Sequence, residues 1–192
     1  MSGLCQWPTP QVVPAGIVRL NPRPFNSRDH WPVTLLLAAG LVVLDQGAKA
    51  VVADQLPLGV SVALTSWFNL VHVLNPGAAF SFLADAGGWQ RHALSAFGIV
   101  VSLALAGMLW RGVRSRFETA GFIGLIGGAM GNVIDRLRIG AVVDYLDFYW
   151  GRLHWPAFNL ADVFVVGGAG LLLLASFQYG TAAKPSGRTD VG

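Results

Sequence analysis

Four long apolar runs constrain this chain more than anything else in it. Residues 33–52, 93–110, 117–134 and 160–177 each extend for 18 to 20 positions with few charges. About 20 such residues, wound as a helix, cross the ~30 Å hydrocarbon layer of a bilayer. A soluble core can enclose one helix of this kind. Four of them within 192 residues, in a chain that is 54% hydrophobic and 12% charged, leave too little polar surface to cover them. The sequence therefore predicts an all-α integral membrane protein, a four-transmembrane-helix bundle with spans at about 33–52, 93–110, 117–136 and 159–178. Together these make one unit, 33–179, between an N-terminal extension, 1–32, and a tail, 180–192.

Arginine placement orients the bundle. Arg19, Arg23 and Arg28 precede the first span, Arg111, Arg114 and Arg116 fill the second connection, and Lys184 and Arg188 lie in the tail, whereas the first connection carries only Arg91. Short cytoplasmic loops collect such cations, so both termini and the central loop are expected in the cytoplasm. The third connection breaks the pattern with Arg136, Arg138 and Arg152, which makes these candidates for functional cations. The net charge of +3 thus reports topology, and no basic stripe with interleaved aromatics predicts nucleic-acid binding. The first 30 residues are Pro-rich and lack a continuous apolar core, unlike a cleavable signal peptide, and read as a flexible cytosolic extension. Cys5 is the only cysteine, so no intrachain disulfide can form.

The first outer connection, 53–92, is too long for a simple link. Thr65–Leu74 is rich in β-branched and aromatic residues and ends at Asn75-Pro76-Gly77, a turn signal. A small extracytoplasmic β-element at about 65–75 is expected there. Phe80, Phe82, Leu83 and Trp89 follow, suited to a membrane surface. In the third span Gly124 and Gly128, and separately Gly127 and Gly131, stand four apart, a spacing that lets helices approach closely. His72 and His154 read as interfacial side chains.

Asp45, Asp135, Asp144 and Asp162 fall inside or at the edges of the apolar runs, and all map to the outer side of the bundle. An ionised Asp costs about 2.5–3.5 kcal/mol at the centre of a spanning helix, so such residues mark functional sites by default. Lys49 lies one turn after Asp45 and is placed to pair with it. Asn132, Asp135 and Arg136 share one helix face, as do Asn159 and Asp162. Two carboxylates held close share a proton near neutral pH; one then activates water while the other polarises a carbonyl. Competing chemistry is weakly supported. The four histidines show no metal-ligand spacing, no GxSxG is present, and no serine stands at helical spacing from Lys49. Helix caps and ion pairs remain the plain reading of any single Asp, and the residues alone leave Asp144 with Asp162 or Asp135 with Asp144 as the pair. The arginine beside Asp135 argues against its sharing a proton.

Five blocks carry a resemblance. Asp45-Gln46-Gly47-Ala48-Lys49, Asn75-Pro76-Gly77-Ala78-Ala79-Phe80, Gly131-Asn132-Val133-Ile134-Asp135-Arg136, Val142-Val143-Asp144 and Phe158-Asn159-Leu160-Ala161-Asp162 together resemble the bacterial lipoprotein signal peptidases, signal peptidase II, in order and spacing from Val33 to Phe177. Ala48 departs from the pattern, standing where the family commonly carries a hydroxyl. The resemblance implies an intramembrane aspartic endopeptidase of the bacterial cytoplasmic membrane. It would remove signal peptides from diacylglyceryl-modified prolipoproteins by cutting just before the lipidated cysteine. On matching positions it implies Asp144 and Asp162 as the catalytic dyad, with Asp45, Lys49, Asn75, Gly77, Asn132, Asp135, Arg136 and Asn159 supporting them or contacting substrate. The stretch 87–91 would join the surface-lying part of the first loop. Membrane lipids are the other expected partner, Arg136 or Arg138 being candidates for a lipid phosphate, and no metal, cofactor, nucleic acid or obligate second copy is implied. The competing class is a small transporter or channel using the same polar cluster. Neither internal repeats nor helices broken at the midplane favour it.

Overall fold

The computed structural model describes residues 30–77, 88–113 and 115–182. The extension 1–29 with Cys5, the stretch 78–87 with Phe80, Phe82, Leu83 and Gly87, Arg114 and the tail 183–192 lie outside the described residues. The described chain forms α1 (Trp31–Gln55), β1 (Ser61–Ala63), β2 (Phe68–Asn75), α2 (Gln90–Arg111), α3 (Arg116–Ile139), β3 (Val142–Trp150), β4 (Leu153–His154) and α4 (Leu160–Ala182). All four helices are long and apolar enough to cross a membrane.

Local chemistry sets the helix ends. Pro32 opens α1, where a missing N–H costs nothing. Ser115 caps α3 by accepting from Phe117 N at 3.1 Å, with Glu118 in the first turn. Gly140 ends α3 at φ +79°, a left-handed conformation that turns the chain directly into β3.

α3 is the central helix and packs against α1, α2 and α4. Its glycines explain how. A Cβ on Gly124 would lie 2.7 Å from Phe164 O of α4, and one on Gly127 would lie 2.8 Å from Leu41 Cβ of α1. The two four-residue glycine spacings therefore serve two different neighbours, α4 and α1. Lipid-facing side chains such as Leu36, Val43, Phe97 and Val166 stay exposed, as a bundle solvated by acyl chains requires.

The β-element is larger than the first loop alone. Its antiparallel sheet has the order β1-β2-β3-β4, and β3 and β4 come from the third connection. The sequence expectation of a strand confined to about 65–75 is corrected accordingly: the third connection is itself largely strand, and Asp144 and Asp147 lie on β3. The run VVDYLDFYW hides its strand character because acidic residues interrupt the apolar alternation. Pairing of Leu70 with Leu146 and of Val73 with Asp144 leaves one extra residue on β2, a bulge beside Asp144. Phe68, Phe148 and Phe158 stack across the sheet with centroids 4.8 and 5.7 Å apart. Leu146 also bridges to Phe158, which fixes the segment leading into α4 against β3. The stretch expected to lie along the surface at 87–91 is, from Gln90 onward, the first turn of α2. His72 is buried, its Nδ1 2.7 Å from Leu56 O, whereas His154 is exposed and pairs with Asp147.

Candidate active site

Two linked polar layers sit at the sheet end of the bundle. The deeper one joins α1 to α3. Lys49 Nζ lies 2.8 Å from Asp45 Oδ2 and 2.8 Å from Asp135 Oδ2. Gln46 Nε2 donates to Asp135 Oδ1 at 2.8 Å, Asp45 Oδ1 accepts from Ala161 N at 2.9 Å, and Asp135 Oδ2 accepts from Val143 N at 3.2 Å. Asp45 is fully buried, so each oxygen needs such a partner. This layer ties α1, α3, α4 and the start of β3 to one another.

The i,i+4 pair of Asp45 and Lys49 forms as the sequence implies. The pairing of Asp135 with Arg136 does not: Asp135 turns toward Lys49, while Arg136 donates through Nη2 to Gly77 O at 2.9 Å and through Nη1 to Asn132 O at 3.4 Å. Adjacent residues on a helix diverge by about 100°, so Asp135 faces α1 while Arg136 faces the turn after β2. Ala48, lacking the hydroxyl, packs against the apolar cluster of Val52, Leu56 and Tyr145.

The upper layer holds the remaining carboxylates. Asp144 accepts from Asn159 Nδ2 at 2.7 Å and from Asn75 Nδ2 at 3.1 Å. Asp162 accepts from Asn132 Nδ2 at 2.8 Å and from Asn159 N at 3.2 Å, while Asn159 Oδ1 accepts from Asp162 N at 3.1 Å. Asn159 and Asp162 thus cap α4 reciprocally, and Asn159 bonds to both carboxylates. Asp162 is a helix cap and a cavity-facing acid at once. Burial, and then the nearby Asp162 charge, push the Asp144 carboxyl up to about 6.

Asp144 and Asp162 open onto a cavity of about 670 Å³, which Asn75, Asn132 and Arg136 also line. Its other wall is apolar, with Val142, Pro156, Phe158, Val163 and Val166. Val166 is 72% exposed, so the cavity reaches the lipid-facing side of α4. Gly77 enters through its carbonyl, which holds Arg136, and its N–H donates to Asn75 Oδ1 at 3.0 Å.

The sequence-derived set therefore divides. Asp144, Asp162, Asn75, Asn132 and Arg136 line the cavity, Asn159 and Gly77 brace it, and Asp45, Lys49 and Asp135 lie in the layer beneath. Sequence reasoning assigned no role to Gln46, although a polar residue within an apolar run is itself a signal. It also missed a buried brace within the sheet, where Asn69 donates to Asp147 at 2.7 Å and Asp147 holds His154 Nδ1 at 3.0 Å. Among the described residues no group of three or more His, Cys, Asp or Glu is arranged to hold a metal ion.

Fold and cavity together define a polytopic membrane protein that presents two carboxylates, joined by shared amides, at one end of its helix bundle. The family profile of Signal peptidase (SPase) II matches residues 37–178. The lipoprotein signal peptidase of Aeromonas hydrophila subsp. hydrophila is 51% identical over 150 residues, covering 75% of this chain and 87% of its own. That of Serratia marcescens is 43% identical over 160 residues, covering 83% and 93%. A bacterial membrane enzyme solved by the in meso method at 2.3 Å resolution superposes with a TM-score of 0.71 at 27% identity, covering 81% of this chain and 94% of its own. The chain belongs to the signal peptidase II family and is a multi-pass membrane protease of aspartic type.

Proposed function

We propose that Asp144 and Asp162 are the catalytic pair, and that the substrates are prolipoproteins whose cysteine already carries diacylglycerol. The bond cut is the one just before that cysteine. The observation that carries this reading is the sharing of Asn159 by two carboxylates on the wall of a half-apolar cavity. One carboxyl holds a proton and polarises the scissile carbonyl; the other, ionised, takes a proton from the attacking water. Their titration belongs to the pair. Asn75 and Asn132, each donating to one of the acids, hold the carboxylates in place. Arg136, whose buried Nε has no hydrogen-bond partner among the described residues, has donor capacity to offer the substrate.

The apolar wall accounts for the lipid. An acylated cysteine stays at the boundary of lipid and water, and a cavity whose Val166 faces lipid receives its chains from the side. The protein lies in the bacterial cytoplasmic membrane as a monomer, with both termini in the cytoplasm and the sheet on the outer face, in line with the arginine distribution. Incubating purified enzyme in detergent with a prolipoprotein, with and without the diacylglyceryl group, tests this. The expected result is cleavage of the lipidated form alone, with the new N-terminal cysteine identified by mass spectrometry. Equal cleavage of both forms would sink the lipid requirement.

A second expectation concerns stability. The Asp144 carboxyl lies at about 6 in the fold against 3.8 for a free one, so between these values the folded state binds more protons than the unfolded. The contribution of Asp144 to stability is therefore lost as pH rises from about 4 to 6. In Asp144→Asn that loss is absent, and the melting temperature of the variant relative to wild type should climb across this window. A constant difference from pH 4 to pH 7 would contradict it.

A further inference from the structure

We propose that Lys49 is a positioning residue, whose ammonium fixes which face of each neighbouring amide the carboxylates Asp144 and Asp162 meet. This deepens the aspartic reading above and rests on it.

An ammonium has three donors and no acceptor. Lys49 uses all three, on Asp45 Oδ2 at 2.8 Å, Asp135 Oδ2 at 2.8 Å and Asn132 Oδ1 at 3.1 Å. Whatever faces Lys49 must therefore accept, which settles the Asn132 amide: its oxygen points down to Lys49 and its NH2 points up. That NH2 meets Asp162 Oδ1 at 2.8 Å. The second lone pair of Asn132 Oδ1 accepts a hydrogen bond from Asn159 Nδ2 at 3.2 Å. The Asn159 amide is settled in turn. Its other Nδ2 proton goes to Asp144 Oδ1 at 2.7 Å, and its Oδ1 accepts from Asp162 N at 3.1 Å.

One cation that does not line the cavity thus sets the polarity of a chain ending on both acids. Each carboxylate meets N–H donors and never an amide oxygen. If Asn132 rotated by 180°, its oxygen would face Asp162, and two acceptors would oppose each other in a buried site. Nothing but a donor-only group at Lys49 forbids that rotation from below. A plainer role is available, since Lys49 also balances the charges of Asp45 and Asp135. The two roles separate experimentally, because charge can be balanced without restoring a donor to Asn132.

The test compares Lys49→Met with the double variant Lys49→Met/Asp45→Asn, which returns the layer to its original net charge. Folding is read by size-exclusion chromatography and thermal unfolding, and cleavage of a diacylglyceryl prolipoprotein in detergent gives kcat, KM and the pH profile. The charged or titratable groups around the acids are Lys49 and Asp45 from α1, Asp135 and Arg136 from α3 and Tyr145 from β3. Lys49 is among the groups that hold the Asp144 carboxyl down, so its loss moves the alkaline limb of the profile, where Asp144 gives up its proton, to higher pH. The expected result is a double variant that folds and binds substrate with KM within about twofold, but loses roughly 10- to 100-fold in kcat, with the limb shifted upward. A double variant with wild-type kcat and pH profile would reduce Lys49 to a charge balance and overturn the proposal. So would failure of both variants to fold, which makes Lys49 a structural ion-pair residue. Asp144→Asn and Asp162→Asn run in the same assay; full activity in either would instead overturn the aspartic reading beneath it.

Discussion

Replacing either Asp144 or Asp162 by Asn is expected to lower cleavage of a diacylglyceryl prolipoprotein by at least about 10³-fold while leaving the protein folded. General acid–base transfer contributes some 10²–10⁴-fold, and an amide can neither accept water's proton nor hold one for the leaving group at neutral pH. The folded state survives because neither acid carries an ion pair that the substitution would orphan. The layer beneath, with Lys49 between Asp45 and Asp135, is untouched. Substrate binding should be nearly unchanged, so the loss appears in kcat, measured by single-turnover cleavage with a binding assay alongside. The wild-type rate should fall as pH rises through about 6, where Asp144 loses the proton that the pair needs to polarise the scissile carbonyl. Wild-type turnover in Asp144→Asn would remove it from the chemistry. Asp135, held by Lys49, Gln46 and Val143 N, is a poor replacement.

Much of this molecule is legible in its sequence, for a physical reason. Four apolar runs of spanning length admit few folds, and a carboxylate inside such a run has few reasons to be there. The Asp45–Lys49 pair follows from helical spacing alone. The small-residue spacings in α3 were readable as close packing, although which neighbour each serves was not. The misreadings share a cause. Asp135 next to Arg136 looks like an ion pair along the chain, yet adjacent helical residues point apart, and the partner is Lys49 on another helix.

The same holds for β3. Its edge of acidic residues reads as a loop until β2 is brought alongside, 69 residues earlier in the chain for the Asn75–Asp144 contact. The choice of Asp144 with Asp162 as a pair was likewise out of reach of spacing, because it depends on the bridge from Leu146 to Phe158 that carries Asn159 to both. Long-range pairing decides which acids meet. Local pattern decides only that acids are present.

Gly128→Ala should be the most disruptive single methyl in the bundle. A Cβ at Gly128 would run into Ala161 O and lie 2.8 Å from Val165 Cγ2 and 3.0 Å from Val165 N. The first and last of these are backbone atoms in the first turns of α4, which cannot swing aside as a side-chain end can. α4 must move away from α3. Ala161 is also the residue whose N–H bonds Asp45 Oδ1, and Asp162 follows it, so the displacement strains the Asp45 contact and separates Asp162 from Asn132. Overpacking of this kind costs about 1–3 kcal/mol. Cleavage should suffer more than stability, since a misplacement of about 1 Å costs on the order of 10²-fold in rate. Gly40→Ala supplies the control: it adds the same methyl to α1 where nothing lies within 4 Å, and should shift stability by no more than about 0.5 kcal/mol. Thermal unfolding and cleavage measured side by side decide the matter. If Gly128→Ala matched Gly40→Ala in both, the close approach of α3 and α4 would not be what holds Asp162 against Asn132.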